Sequence, residues 1–342
     1  MTRIEEHWST FPFTKGPRIV TRDERGLLLA PEFTFKQLVP HPPIQVIHFP
    51  AEFEPGSFAI PRPVYESHYL RIEWQTMPGT RQPFYHRNTD VDELSFQVAG
   101  TRSLMTDIGL ATMRPGDYTR LPVGVTHDNF SDDDIHVLFY FPAPVNELVP
   151  SYRRSEVVIP PQSWAAGPRP ELVTECLGGP EHDITMGEIH EDDIWGHVQE
   201  TDDRLEILRV DPDTVGTTWL YGSDELLIGQ TNLRDDRGLA YIRTHNAEEM
   251  QYQISGERLL ITQRGMVRLV PGDFVRIPLG VAHTSIVHGD SSHIRVCSAK
   301  TYLQVIDGVE CVRAAVPQIG KSTGEAEPID IDAIDAARAA IA

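Results

Sequence analysis

A chain of 342 residues is long enough for two ordinary domains or for one domain doubled, with a buried core in each half. Hydrophobic residues make up 40% and charged residues 23%, a globular composition, and no apolar run is long enough for a membrane-spanning helix. Fifty acidic against thirty basic side chains give a net charge of −20, which repels nucleic acid and anionic lipid and excludes a general polyanion binder.

The amino terminus, MTRIEEHWST, lacks the apolar stretch of a signal peptide. Residues 1–55 read as an arm, with strand pieces in LLLAPEFTFKQLVPHPPIQVIHF but no recognisable partner. Cys176, Cys297 and Cys311 are odd in number, widely spaced and contain no CxxC pair, so a zinc ribbon or a disulfide scaffold is not indicated. Reduced thiols and a cytoplasmic location are the expectation.

The middle of the chain contains itself twice. Residues 93–127 and 249–283 align without a gap at an offset of 156, with 15 identities in 35 positions. The identities include Glu93/Glu249, Gln97/Gln253, Gly100/Gly256, the Pro-Gly-Asp turns at 115–117 and 271–273, and His127/His283. Each copy alternates apolar and polar residues with period two between Gly and Pro-Gly turns, the signature of short strands in an all-β sandwich or barrel. The predicted order is the arm (1–55), a first barrel (56–150), a Pro-rich and acidic connection (151–210), a second barrel (211–310) and a tail (311–342). The connection reads either as a solvated linker or as a lid or oligomer contact. Helix-period patterning is concentrated in IDAIDAARAAIA at 331–342, predicted as a short terminal helix.

Strand parity gives each repeat a polar face that starts with a glutamate: Glu93, Ser95 and Gln97 in one, Glu249, Gln251 and Gln253 in the other. A histidine lies upstream of each, His86 seven residues before Glu93 and His245 four before Glu249, with Asn88 also preceding the first. His127 and His283 close the two segments. Two imidazoles and one carboxylate form a facial triad, which leaves open positions on ferrous iron and can also hold Mn, Co, Ni or catalytic Zn. Gln97 and Gln253 share the glutamate face and are candidates to orient a substrate oxygen, with cross-strand hydrogen bonding as the alternative. Arg243 is a candidate partner for a substrate carboxylate, with a plain ion pair as the alternative.

Two copies of Glu-x6-Gly preceded by histidine and followed by PGD…P-x-G-x-x-H resemble the two cupin motifs, so the chain resembles a bicupin. That resemblance implies two tandem double-stranded β-helix (jelly-roll) barrels. The usual first motif has His-x-His, where this chain has His86-x-Asn88 and Arg243-x-His245. The segment FYHRN and the run from Asp90 to Gly124 are similar to homogentisate dioxygenase, and the architecture is similar to the large subunit of the two-component hydroquinone dioxygenases. Carried over, these resemblances imply iron ligation by His86, Glu93 and His127 with Asn88 as an optional fourth ligand. In those enzymes the histidine-to-glutamate spacing is one residue shorter and the iron lies in the carboxy-terminal barrel, so His245, Glu249 and His283 stay in the candidate set. The expected activity is Fe(II)-dependent ring cleavage of a small aromatic diol or hydroxy acid with dioxygen. Its alternatives are an oxygen-independent Mn or Zn isomerase or decarboxylase, or a non-enzymatic small-molecule-binding bicupin. Exposed edge strands imply a homo-oligomer or a complex with a smaller subunit.

Overall fold

A computed structural model describes residues 2–29, 43–49, 62–66, 69–142, 144–159, 167–177, 184–299, 304–305 and 322–341. Cys311 and much of the tail's first part lie outside the described residues. The protein is all-β, two barrels each built on one sequence repeat, with a short carboxy-terminal helix at Ile331–Ala339. No helix among the described residues is long and apolar enough to cross a membrane.

The chain divides into two compact units that are not contiguous in sequence. The first-copy unit comprises Pro50–Val210 and Tyr302–Ile319, and the second-copy unit comprises Met1–Phe49, Asp211–Thr301 and Gly320–Ala342.

In the first-copy unit, strand Asp92–Thr106 is the spine. It pairs antiparallel with His127–Phe141 on one side and with Tyr118–Leu121 and Gly109–Met113 on the other. Arg71–Met77 and then Arg62–Glu66 extend the sheet beyond His127–Phe141. The described parts of the connection are built into this unit. Glu206–Leu208 pairs with Tyr118–Leu121, and Leu205 and Ile207 enter the apolar cluster of Leu104, Ile108, Ala111, Met113 and Leu121. A hairpin, Pro168–Thr174 and Ile184–His190, adds its first strand in parallel to the short strand Tyr85–Asn88, and helix Glu191–Glu200 follows.

The second-copy unit closes on the chain's own ends. Strand Arg3–Thr10 pairs in parallel with Ala240–His245, and Gln45–His48 lies between Asp273–Ile277 and Ser322–Glu325. The terminal helix is capped by Asp330, whose carboxylate accepts from the amides of Asp332 and Ala333 at 3.0 Å. It buries Ile334 among Ile4, Leu27, Leu28, Tyr241 and Ile261.

Both copies use the repeated glycine for the same purpose. Gly100 and Gly256 sit at φ of 63° and 65°, and a Cβ there would lie 2.0 Å and 2.1 Å from the carbonyls of Asp133 and Asp290. Any side chain would be both strained and in collision, so the tight approach of the neighbouring strand requires glycine. The Pro-Gly-Asp turn is tied down alike, Asp117 accepting from the Arg114 amide at 2.9 Å and Asp273 from that of Val270 at 2.7 Å.

One buried ion pair ties the terminal helix to the amino-terminal segment. Arg338 donates to both oxygens of Glu24 at 2.5 and 2.7 Å, and the Tyr241 hydroxyl donates to the same carboxylate at 2.5 Å. Removing one partner of such a pair strands the other charge away from water. Arg338→Ala is expected to lower the stability of the second-copy unit by about 3–5 kcal/mol in urea denaturation. Arg234→Ala, which breaks an exposed pair with Asp290, should leave the transition unmoved.

Candidate metal centre

His86 and Asn88 alternate on strand Tyr85–Asn88, so both face the barrel interior while Tyr85 and Arg87 face away. His127 opens the neighbouring strand and pairs directly with His86. Glu93 comes from the spine strand, where its cross-strand neighbours are Leu121 and Tyr140. The folded chain thereby gathers His86, Glu93 and His127 with ligand atoms all within 4.8 Å of one another, the one such group among the described residues. His127 Nε2 is 3.7 Å from Glu93 Oε2, and the two imidazoles meet edge to face at 5.1 Å. Asn88 donates to Glu93 Oε2 at 3.0 Å. Metal–nitrogen and metal–oxygen bonds of about 2 Å would span these gaps with small side-chain shifts.

The electrostatics suit metal ligation. Burial drives His86 down to about 4, with the His127 charge adding to the effect. Burial also holds His127 at about 4, against a hydrogen bond to the Val125 carbonyl that favours the charged form. Both rings are therefore neutral at pH 7, with lone pairs free to donate. Among the described residues, no guanidinium or ammonium lies within ion-pair distance of Glu93. Two neutral imidazoles and one carboxylate without a direct ion-pair partner fit a divalent cation.

The wall beside His86 comes from the connection. Thr174 Oγ1 is hydrogen-bonded to His86 Nε2 at 2.6 Å, and two residues on Cys176 donates from Sγ to Asn88 Oδ1 at 3.0 Å. Burial pushes the Cys176 thiol up to about 12, so it is protonated. On the outer face of the same strands, Arg81 pairs with Asp128 at 2.6 Å and with Glu191, and Tyr85 donates to Glu191 at 3.1 Å. This cluster clamps the helix Glu191–Glu200 to the strands that carry the two histidines. Nothing in the local sequence pattern of 151–210 points to Thr174 or Cys176, because the pairing that delivers them spans more than eighty residues.

The second copy is arranged differently. Arg295 donates to both oxygens of Glu249 at 2.8 and 2.7 Å, and Gln251 donates to Glu249 Oε1 at 2.5 Å. Burial pushes Glu249 up, but Arg295, His283 and Gln251 together bring it down to about 2. His283 Nε2 stands 3.8 Å from Glu249 Oε1, and burial lowers its ring to about 4. His245 is not with them: its ring stacks on Trp8 at 4.9 Å. Among the described residues the expected trio of His245, Glu249 and His283 does not gather its ligand atoms: His245 stacks on Trp8, and a guanidinium holds Glu249. Arg295 lies beyond the aligned repeat, and its register differs from that of the first copy. Arg295 pairs with Gln251 just as Leu138 pairs with Ser95, one residue out of step with the offset of the repeat.

The other candidates are engaged inside the fold. Arg243 pairs with Glu6 at 2.6 Å and lies over the Trp8 ring, so the ion-pair reading describes it and no substrate contact is offered. Gln97 donates to the Ala99 carbonyl at 2.7 Å and to Asp134, and Gln253 donates to Ser255, Gly256 and Ser291. Gln97 thus bridges to strand His127–Phe141 and Gln253 to strand Asp290–Ser298, which is the cross-strand alternative.

No family model matches the sequence, and no curated protein matches it. Among solved structures, a cupin 2 conserved barrel domain protein from Leptotrichia buccalis is similar with 6% identity, covering 72% of this chain and 91% of that one at a TM-score of 0.45. A variant of Bacillus subtilis oxalate decarboxylase is similar with 13% identity, covering 79% and 81% at a TM-score of 0.46. The protein Ylba from E. coli is similar with 9% identity, covering 80% and 97% at a TM-score of 0.42.

The neutral histidines give a pH dependence with a definite sign. Unfolded, His127 would take a proton near 6.5, whereas folded it resists until about 4. Between those values the unfolded chain binds more protons, so stability is complete above about pH 6.5 and falls as the pH drops toward 4, by at most about 1.4 kcal/mol per pH unit per histidine. In metal-free protein, His127→Gln should flatten the fall of the melting temperature across that window. Parallel curves for parent and variant would contradict it.

Proposed function

We propose that the chain is a non-haem Fe(II)-dependent dioxygenase whose first copy opens the ring of a small aromatic diol or hydroxy acid. The observation that carries the reading is the buried trio of His86, Glu93 and His127, with no described Arg or Lys within ion-pair distance of Glu93, where the equivalent glutamate of the second copy is closed by Arg295. The likeness of FYHRN and the following run to homogentisate dioxygenase supports oxygen chemistry over the alternatives.

Ferrous iron, when bound, supplies open coordination positions for substrate and dioxygen and passes electrons from one to the other. The residues do the positioning. His86 and His127 donate as neutral rings, and Glu93 brings one negative charge. Asn88 fixes one oxygen of Glu93 by its amide, and Thr174 fixes the orientation of His86. Tyr140, directly across from Glu93, offers a hydroxyl that hydrogen-bonds to none of the described residues. Burial keeps that phenol protonated well above its ordinary range, with Glu93 and Glu73 adding to the effect, so it is a hydrogen-bond donor to a substrate oxygen. The reading includes assembly as a homo-oligomer or with a smaller subunit, which light scattering of the native extract-purified protein would resolve.

Two measurements test it. Protein purified anaerobically should carry about one iron per chain, lost at least tenfold in His86→Ala and retained in His245→Ala. An oxygen electrode should record uptake on adding homogentisate or a hydroquinone to the iron-loaded parent. Manganese or zinc without oxygen uptake would turn the reading to an isomerase or decarboxylase. No metal after reconstitution would leave a binding protein.

A further inference from the structure

The side-chain amide of Asn88 has two ends of opposite hydrogen-bonding character, and the fold gives each a partner. Nδ2 donates to Glu93 Oε2 at 3.0 Å, and Oδ1 accepts from Cys176 Sγ at 3.0 Å. Chemistry fixes the polarity. A carboxylate can only accept, so the NH2 end faces Glu93, and the thiol has a proton to give, so the carbonyl end faces Cys176. Thr174 Oγ1 stands 3.4 Å from the same carbonyl, but its short contact, 2.6 Å, is with His86. Cys176 is itself anchored through its backbone. The Asp90 carboxylate accepts from the amides of Cys176 and Leu177 at 2.8 and 2.9 Å, and Arg71 donates to the Cys176 carbonyl at 3.2 Å.

The second copy makes the same pairings with other residues. Ile242 pairs with His283 as His86 pairs with His127, and the Gly280 amide donates to the Thr244 carbonyl as that of Gly124 donates to Asn88. Ser9 lies beside Thr244 as Thr174 lies beside Asn88. The amide of Phe11 donates to the side chain of Asn246 as that of Cys176 donates to Asp90. His86, Asn88, Thr174 and Cys176 are therefore replaced together, by Ile242, Thr244, Ser9 and Phe11, in the copy whose glutamate is closed by Arg295. The fold forms without any of the four, so they belong to the candidate centre of the first copy.

We propose that Cys176 is a positioning residue that holds Asn88 on Glu93 and off the metal, so that His86, Glu93 and His127 are its three protein ligands. This role rests on the reading of the first copy as a metal enzyme and names what keeps its coordination sphere open. Three protein ligands leave room for a chelating substrate and dioxygen together, whereas Asn88 Oδ1 as a fourth would take one of those positions. Turning the amide would give up a charge-assisted hydrogen bond to Glu93 and leave the NH2 end against a thiol.

The probe is Mn(II) alone, bound at saturation to the full chain. Its ligated waters are counted from the broadening of its electron paramagnetic resonance lines in water enriched in the magnetic oxygen isotope. Asn88→Ala should bind Mn(II) about ten- to a hundredfold more weakly, through the loss of support for Glu93, with the water count of the parent. One more water in Asn88→Ala than in the parent would make Asn88 a ligand and overturn the proposal. Cys176→Ala, or Cys176→Val if that chain does not fold, frees Oδ1 to turn to the metal and should show one water fewer. Cys176→Ser, which keeps a donor, should restore the parental count, and so should adding Asn88→Ala to the Cys176 variant, which a merely structural loss would not allow. A parental count in folded Cys176→Ala or Cys176→Val would overturn the role of the thiol. The counts need neither substrate nor oxygen. Three-ligand binding without oxygen uptake would defeat the dioxygenase alone, oxygen uptake with Asn88 ligated would defeat the positioning role alone, and a parent that takes up neither Mn(II) nor Co(II) would defeat both.

Discussion

A carboxylate buried inside a barrel must meet positive charge or strong donors, because neither water nor an apolar wall can compensate it cheaply. Glu93 and Glu249 occupy the same place in two copies of one sequence, at 5% and 1% exposure, and the constraint is met in two ways. Around Glu249 the protein supplies its own cation, a bidentate guanidinium backed by an amide, and the histidine that would complete a ligand set has turned to a tryptophan. Around Glu93 it supplies two neutral imidazoles and one amide, and leaves the charge to be met from outside. The duplicated chain thus carries its own control. One interior is complete in itself, and the other is arranged for a cation.

Much of this was legible in the sequence. The period-2 runs between the Gly and Pro-Gly turns located the strands, and the repeat at offset 156 located both barrels. Parity placed Glu93 and Gln97 on one face, and the spacing of His86, Glu93 and His127 named the residues that the fold gathers. What was not legible depends on distant pairing. The amino-terminal strand finds its partner at 240–245, and the strand at 168–174 finds its partner at 85–88. No local pattern encodes a parallel pairing across such separations. Arg295 lies beyond the aligned segments 93–127 and 249–283, on a strand whose pairing is one residue out of step with their offset.

The connection acquires its role from the same physics. A Pro-rich, acidic stretch has little apolar surface with which to fold alone. Here it borrows a strand edge beside His86, adds Leu205 and Ile207 to an existing core, and anchors its helix through the Arg81, Asp128 and Glu191 cluster. Thr174 and Cys176 reach the candidate centre only because the hairpin is held there, so the outer ionic clamp and the inner wall of the site are two faces of one device.

The central claim is that the first copy holds a metal and the second has replaced it with an arginine. The most direct test is an anomalous difference map from crystals of the full chain equilibrated with Co(II) or Fe(II). The account predicts one strong peak per chain, within bonding distance of His86, Glu93 and His127, with Arg295 still on Glu249. A peak between Glu249 and His283, or no ordered metal at either copy, would contradict it.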